Sequence, residues 1–179
     1  MKKLGKFLMV GAIAAIAVAG TVGLTACGGS GYTGEYHYNN HDTEYGVKVK
    51  VEIEKNSENI LLSTIKSVTI VNSDYVQLSP ANETYGWTEE MRQNYSSKEA
   101  DLLKAYEGKG VMELANPTLV TTNSVGEPSA VADTDLLITG ATQSSGRLLL
   151  AVQDAINDWA EANKEAILEA TLGALGGIS

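Results

Sequence analysis

Between residues 139 and 145 four hydroxyls crowd around a Gly-Ala pair, in the order Thr139-Gly140-Ala141-Thr142-Gln143-Ser144-Ser145. The apolar run Leu136-Leu137-Ile138 precedes them, and Leu148-Leu149-Leu150-Ala151-Val152 follows. This pattern predicts a strand, a turn and then a helix. Gly140 and Ala141 at such a turn let a ligand come close to the backbone. The first N–H groups of a helix lack partners within it and favour an anion, phosphate above all. Thr142 would present its hydroxyl on the helix side of the turn. A threonine hydroxyl needs an activating base, and no neighbour of Thr142 in sequence reads as one. The residue is therefore not read as a catalytic nucleophile. Ser144 and Ser145 stand where they would cap the helix or bond a phosphate. Arg147, one turn into the helix, offers a guanidinium whose geometry matches phosphate oxygens.

Other chemistries have less to work with. His37 and His41 lie four apart in a strand-like stretch, and with no cysteine beside them they make a poor metal pair. No Cys-x-x-Cys-His occurs, which excludes c-type haem attachment. The glycine-bearing stretch Gly140 to Gly146 is followed by Arg147 and not by Lys-Ser/Thr, so it is not a nucleotide P-loop. No Ser/His/Asp set stands out, and no catalytic residues are assigned.

Residues 1–26 read as a removable export signal. Lys2, Lys3 and Lys6 form a basic start, Phe7 to Leu24 carries no charge, and Leu24-Thr25-Ala26-Cys27 is built like a bacterial lipoprotein cleavage site. The apolar run is nearly long enough to span a bilayer, so an uncleaved anchor is its other use. Cys27, the single cysteine, decides for lipidation. The lipid would hold the chain on the extracytoplasmic face of the cell membrane. Residues 27–31 then read as a flexible tether, and residues 32–179 as one domain. Residues 1–26 contain three Lys and no acid. Of 13 basic and 22 acidic residues, the remaining 153 positions therefore keep 10 and 22, a net charge of −12. Such a surface repels nucleic acid and anionic headgroups and excludes a nucleic-acid partner.

The elements that must position the hydroxyl cluster read as an α+β domain: a small antiparallel sheet with helices packed against it. Tyr32 to Tyr38 alternates as a short strand. Val47, Val49, Val51 and Ile53 alternate with Lys48, Lys50, Glu52 and Glu54, which predicts a strand with one buried face and one wet face. Lys55 to Asn59 is a turn cluster, and Ile60 to Val71 the returning strand of a hairpin. Asn72 to Asn94 reads as irregular. Ser96 and Glu99 have capping-box spacing, which predicts a helix over Ser97–Tyr106 ending at Gly108 and Gly110. Leu119–Thr122 and Leu136–Ile138 read as short strands on either side of a Gly126/Pro128 loop. Leu148, Ala151, Val152, Ala155, Ile156 and Trp159 recur at helical spacing, which predicts a core-facing helix from about Ser145. That helix would continue through Asn163 to Leu172 and end at Gly173, Gly176 and Gly177.

The hydroxyl cluster resembles the S/T-G-A-T-x-S/T-S motif of the FMN-binding domain family, which includes flavin-carrying subunits of sodium-pumping membrane redox complexes. Tyr32-Thr33-Gly34-Glu35 and its hairpin look like the opening of the same domain. The resemblance implies FMN as cofactor, joined through a phosphoester to Thr142, with Thr139, Gly140, Ala141, Ser144, Ser145 and Arg147 around it. It implies a flavin transferase acting outside the cytoplasm, and redox partner proteins. It also implies an electron carrier more than a turnover enzyme. Trp87, Tyr85 and Tyr95 are candidates to lie against the flavin ring. Flavinylated members usually carry an Asp six residues before the acceptor Thr. Here that position is Leu136, and the acids are Asp135 and Asp133. The departure leaves a second reading, a flavin-free lipoprotein that uses the domain as a binding module.

Overall fold

A computed structural model describes residues 31–40, 43–71, 76–77, 89–123, 127–139 and 141–176. The fold is α+β, as the patterning predicts. Strands β1 (Gly31–Asn40), β2 (Thr43–Glu54) and β3 (Thr64–Val71) form an antiparallel sheet in that order, and β4 (Val76–Gln77) adds in parallel to β2. After α1 (Glu89–Ala105) and the one-turn helix α2 (Val111–Leu114) comes a separate two-stranded ribbon, β5 (Val120–Thr122) and β6 (Pro128–Val131). The chain ends in α3 (Thr142–Ala162) and α4 (Lys164–Gly176). Gly31 is thus the first strand residue and not part of the tether. The lipobox, Cys27 and the export signal lie outside the described residues. Among the described residues no helix is long and apolar enough to cross a membrane.

The alternation in β2 places its faces as expected. Val47, Val49 and Val51 are buried, while Lys48, Lys50 and Glu52 stay half-exposed on the far face. There Lys48 meets Glu35 at 3.7 Å, and Glu52 meets Lys50 at 3.5 Å and Lys66 at 3.4 Å. The return from β2 departs from a plain strand. Asn59 accepts the Leu61 N–H at 3.0 Å and winds Ile60–Leu62 into a 3-10 turn. The register of β3 then shifts opposite Glu52/Ile53. The bulge carries Ile65 and Val68, three apart, to the same buried face and leaves Ile53 half-buried. The register makes a direct prediction. Val51 is 0% exposed, so Val51→Asp should destabilise the domain by about 3–5 kcal/mol, as a buried unpaired charge does. Lys50→Asp should change stability by less than about 1 kcal/mol. Equal losses in urea unfolding would contradict the register.

Helix α3 lies across β1, β2 and β6 and closes the core with Leu148, Leu149, Ala151, Val152, Ala155, Ile156 and Trp159. Two glycines let it come so close. A Cβ on Gly34 of β1 would fall within contact distance of the Ala151 carbonyl oxygen and the Ala155 backbone nitrogen, and 2.9 Å from the Ala155 Cβ. A Cβ on Gly146 would lie 2.6 Å from the Pro128 Cβ in β6. Beside the first contact, Asp154 Oδ2 accepts the Glu35 N–H of β1 at 2.9 Å.

The remaining helix boundaries move for local reasons. Helix α1 already covers Glu89–Ser96, ahead of the predicted start at Ser97. Ser96 lies inside the helix and not at its N-cap. The helix stops where predicted, with Gly108 in the left-handed region at φ 77°. Asn163 breaks the long C-terminal helix in two. Its Nδ2 donates to Trp159 O at 2.8 Å, while its Oδ1 accepts from Lys55 Nζ at 3.2 Å. Pro128, predicted to lie in a loop, begins β6.

Candidate functional site

The segment that leads into the hydroxyl cluster is not a strand. Asp133 Oδ1 accepts the Asp135 N–H at 2.9 Å and starts a 3-10 turn over Thr134–Leu136. Aspartate side chains favour such local bonds over a ladder. The Leu137 N–H bonds back to Thr134 O at 3.3 Å, and the Ile138 N–H goes to Ser145 Oγ at 3.0 Å. No backbone donor of Leu136–Ile138 is therefore left for a sheet. Leu136 and Ile138 are still buried, as apolar residues of a strand would be.

Helix α3 begins at Thr142, three residues earlier than predicted. The N-cap is Ala141, so neither Ser144 nor Ser145 caps the helix. Ser145 closes the turn instead. Its Oγ donates to Ala141 O at 3.0 Å while accepting the Ile138 N–H, and the Ala141 N–H reaches Ile138 O at 2.9 Å. The Ser145 side chain is 0% exposed and works as an internal brace. Ser144 is buried as well. Thr139 and Gln143 are exposed, and Thr142 is half-buried as the first helical residue. Gly140 lies outside the described residues. With no side-chain cap, the N–H groups of the first turn have no acceptor among the described side chains. The arrangement fits a phosphate at Thr142: small residues before it, a hydroxyl at the first position, and N–H donors around it.

Arg147 is 3% exposed and engaged with other groups, so it is not a surface cation. Five residues beyond Thr142, it lies about 140° around the helix from it, at about 100° per residue. The backbone thus places Arg147 on a different side of α3 from the Thr142 hydroxyl. Leu136, six residues before Thr142, is 0% exposed in the core. The acid one residue before it, Asp135, has 78% of its side chain exposed. Of the ring candidates, Tyr85 and Trp87 lie outside the described residues. Tyr95 falls within α1, where the described structure does not extend to its side chain. His37 is an exposed residue of β1, and His41 lies outside the described residues.

Sequence reasoning passed over three supports of this site. The first is Lys109 Nζ, 2.6 Å from Asp133 Oδ2, which ties the turn after α1 to the start of the loop. The Asp133 hydrogen bond raises the Lys109 pKa above the ordinary lysine value. Partial burial works to raise the Asp133 pKa, but the Lys109 hydrogen bond, the Asp135 N–H and the Lys109 charge outweigh it and hold the carboxyl lower than usual. The second is Gln153, whose Nε2 donates to Leu114 O at 2.9 Å and Asn116 O at 3.0 Å and so joins α3 to the segment after α2. The third is the pair Gly34 and Gly146, whose missing side chains are the only sequence signal of close approach. Gly34 lies in the Tyr32–Glu35 stretch and Ala151 and Ala155 in the helix after the hydroxyl cluster, so the first strand touches that helix directly. Compared with family models, curated proteins and solved structures, the chain finds no match.

Proposed function

We propose that the chain is a lipid-anchored, extracytoplasmic flavoprotein that carries FMN on Thr142 and relays electrons. The observation that carries this reading is the start of α3. Thr142 is its first residue, Ala141 precedes it, and no side chain caps it. FMN would supply the redox chemistry, and the protein binding and orientation. Thr142 would hold the phosphate through its hydroxyl oxygen, with the first-turn N–H groups of α3 set against the remaining phosphate oxygens. Ser145 would keep the turn in shape without touching the ligand. The close seats at Gly34 and Gly146 would fix the helix, and with it the cofactor, relative to the sheet. A transferase would supply the base that the site lacks. Electrons would come from a membrane redox complex and pass to another flavoprotein, a quinone-linked partner or an extracellular acceptor. Lipid on Cys27 would keep the carrier at the membrane.

The burial of Leu136 favours a second reading, a flavin-free binding module, because no carboxylate stands at the family's usual position. It also bears on a repair of that position. Leu136→Asp would put a carboxyl into the core and destabilise the loop rather than restore a recognition element. The test is co-expression of the full chain with a flavin transferase. Flavin absorbance that survives denaturation, with the matching gain in intact mass, is the expected result. A colourless chain of unmodified mass hands the domain to the binding-module reading.

A further inference from the structure

Among the described residues four large apolar side chains are exposed: Leu62 at 59%, Leu168 at 58%, Leu172 at 59% and Leu175 at 49%. Three of them lie on α4, four and three residues apart, and so share one face of the helix. The opposite side of α4 is already used, with Ile167 buried and Ala166 and Ala170 partly buried against the core. A surface helix normally turns polar residues outward. Helix α3 does so, with Asp154, Asn157, Asp158 and Glu161 exposed. Helix α4 is apolar on both sides. The 3-10 turn that bears Leu62 packs beside it, so all four leucines belong to one end of the domain.

That end is where the chain enters the fold. Gly31, the first residue of β1, pairs with Glu52 near the end of β2. Three residues after Glu52, Lys55 reaches Asn163 at the junction of α3 and α4. Only Gly28, Gly29 and Ser30 separate Gly31 from Cys27. Four residue steps span at most about 14 Å. A lipid on Cys27 therefore holds the leucine-bearing end next to the bilayer.

We propose that the Leu62, Leu168, Leu172 and Leu175 face rests on the bilayer surface to which Cys27 is anchored, and so fixes the orientation of the domain. The proposal rests on the lipidation reading above. A second copy of the chain is a poorer occupant. Four partly exposed leucines make a patch well short of the roughly 800 Å² per partner that a stable interface takes. The bilayer needs no such area, because the acyl chains already supply attachment. Glu165 and Glu169 beside the leucines disfavour anionic headgroups, so the surface it suits is neutral. Helix α3, with 21 residues, runs about 31 Å away from this end. Thr142 then stands on the side of the domain turned away from the lipid.

The test uses the full lipidated chain in phosphatidylcholine vesicles. With Cys27 acylated, Leu172→Cys supplies the single free thiol for an environment-sensitive fluorophore, and Thr122→Cys supplies a control on the ribbon. Brominated acyl chains should quench most of the emission at position 172 and leave position 122 bright. Adding Leu168→Gln and Leu175→Gln should relieve the quenching at 172 with the thermal unfolding midpoint unchanged. Replacing half of the lipid by phosphatidylglycerol should weaken it. Equal emission at both positions overturns the proposal. So does quenching that disappears when the protein is diluted on the vesicles, which would mean that a second copy covers the face. Intact mass is read first. An unmodified Cys27 overturns the anchor, and this orientation with it, whereas an acylated Cys27 without quenching overturns the orientation alone.

Discussion

Gly34→Ala should lower the stability of the domain by about 3 kcal/mol, the upper end of the usual range for overpacking. The new methyl would meet the Ala151 carbonyl oxygen and the Ala155 backbone nitrogen, and backbone atoms have no rotamer to change. Either β1 or α3 must move, and the core that the sheet and α3 share contains Val49, Val51, Val152 and Ile156, all at most 1% exposed. Two controls separate this mechanism from a general cost of losing glycine. Gly173 of α4 has nothing within 4 Å of its would-be Cβ, so Gly173→Ala should stabilise by about 0.5–1 kcal/mol through helix propensity. Ala155→Gly in the Gly34→Ala background removes the side-chain contact but not the two backbone ones, so it should recover little. Urea midpoints for the three variants check the set. An unchanged midpoint in Gly34→Ala would mean that α3 does not sit on β1 in this way.

Thr142→Ala should abolish denaturation-resistant flavin in chains made with a flavin transferase, while leaving the fold intact. Thr142 is only half-buried, and among the described residues the turn is braced by Ser145 and not by the Thr142 hydroxyl. Thr142→Ser should keep attachment, since the hydroxyl remains at the first helical position. Thr139→Ala should weaken it at most. Ser145→Ala should act differently, by leaving the Ile138 N–H unsatisfied in a buried place, at about 1–3 kcal/mol of stability. In-gel flavin fluorescence after denaturation separates attachment from reversible binding, and a thermal melt separates both from unfolding. Fluorescent Thr142→Ala would place the attachment elsewhere.

What could be read in advance follows from how local each signal is. The Val47–Glu54 alternation and the apolar stripe from Leu148 to Trp159 are period signals within single elements, and both faces came out as read. The loop before α3 misled for an equally physical reason. Leu136 and Ile138 are as buried as strand residues, but the preceding Asp133 redirects the backbone into a 3-10 turn, and Ser145, seven residues on, takes the Ile138 N–H. Apolar content reports burial and not which partner the backbone finds. The bulge in β3 and the strand at Pro128 depend on the register against a partner strand, β2 for the one and β5 for the other, and not on a period within one element. Gly34 was visible as a letter, but its meaning lies in Ala151 and Ala155, more than a hundred positions away. At the site itself, the position of Thr142 was legible within three residues. The division of labour among the serines was not, because it turns on the helix beginning one turn early.

The bond from Glu35 to Asp154 has a consequence for life at high surface density. Strand β1 is the border of its sheet, and its outward N–H groups would otherwise invite a strand from a neighbouring molecule. Chains anchored through Cys27, as proposed above, would share one plane, where such encounters are frequent. A carboxylate already holding one of those donors must be displaced and rehydrated before a foreign strand can dock, and its negative charge meets the acidic surface of the approaching copy. Asp154 thus acts as a guard against polymerisation, supplied by the same helix that presents Thr142.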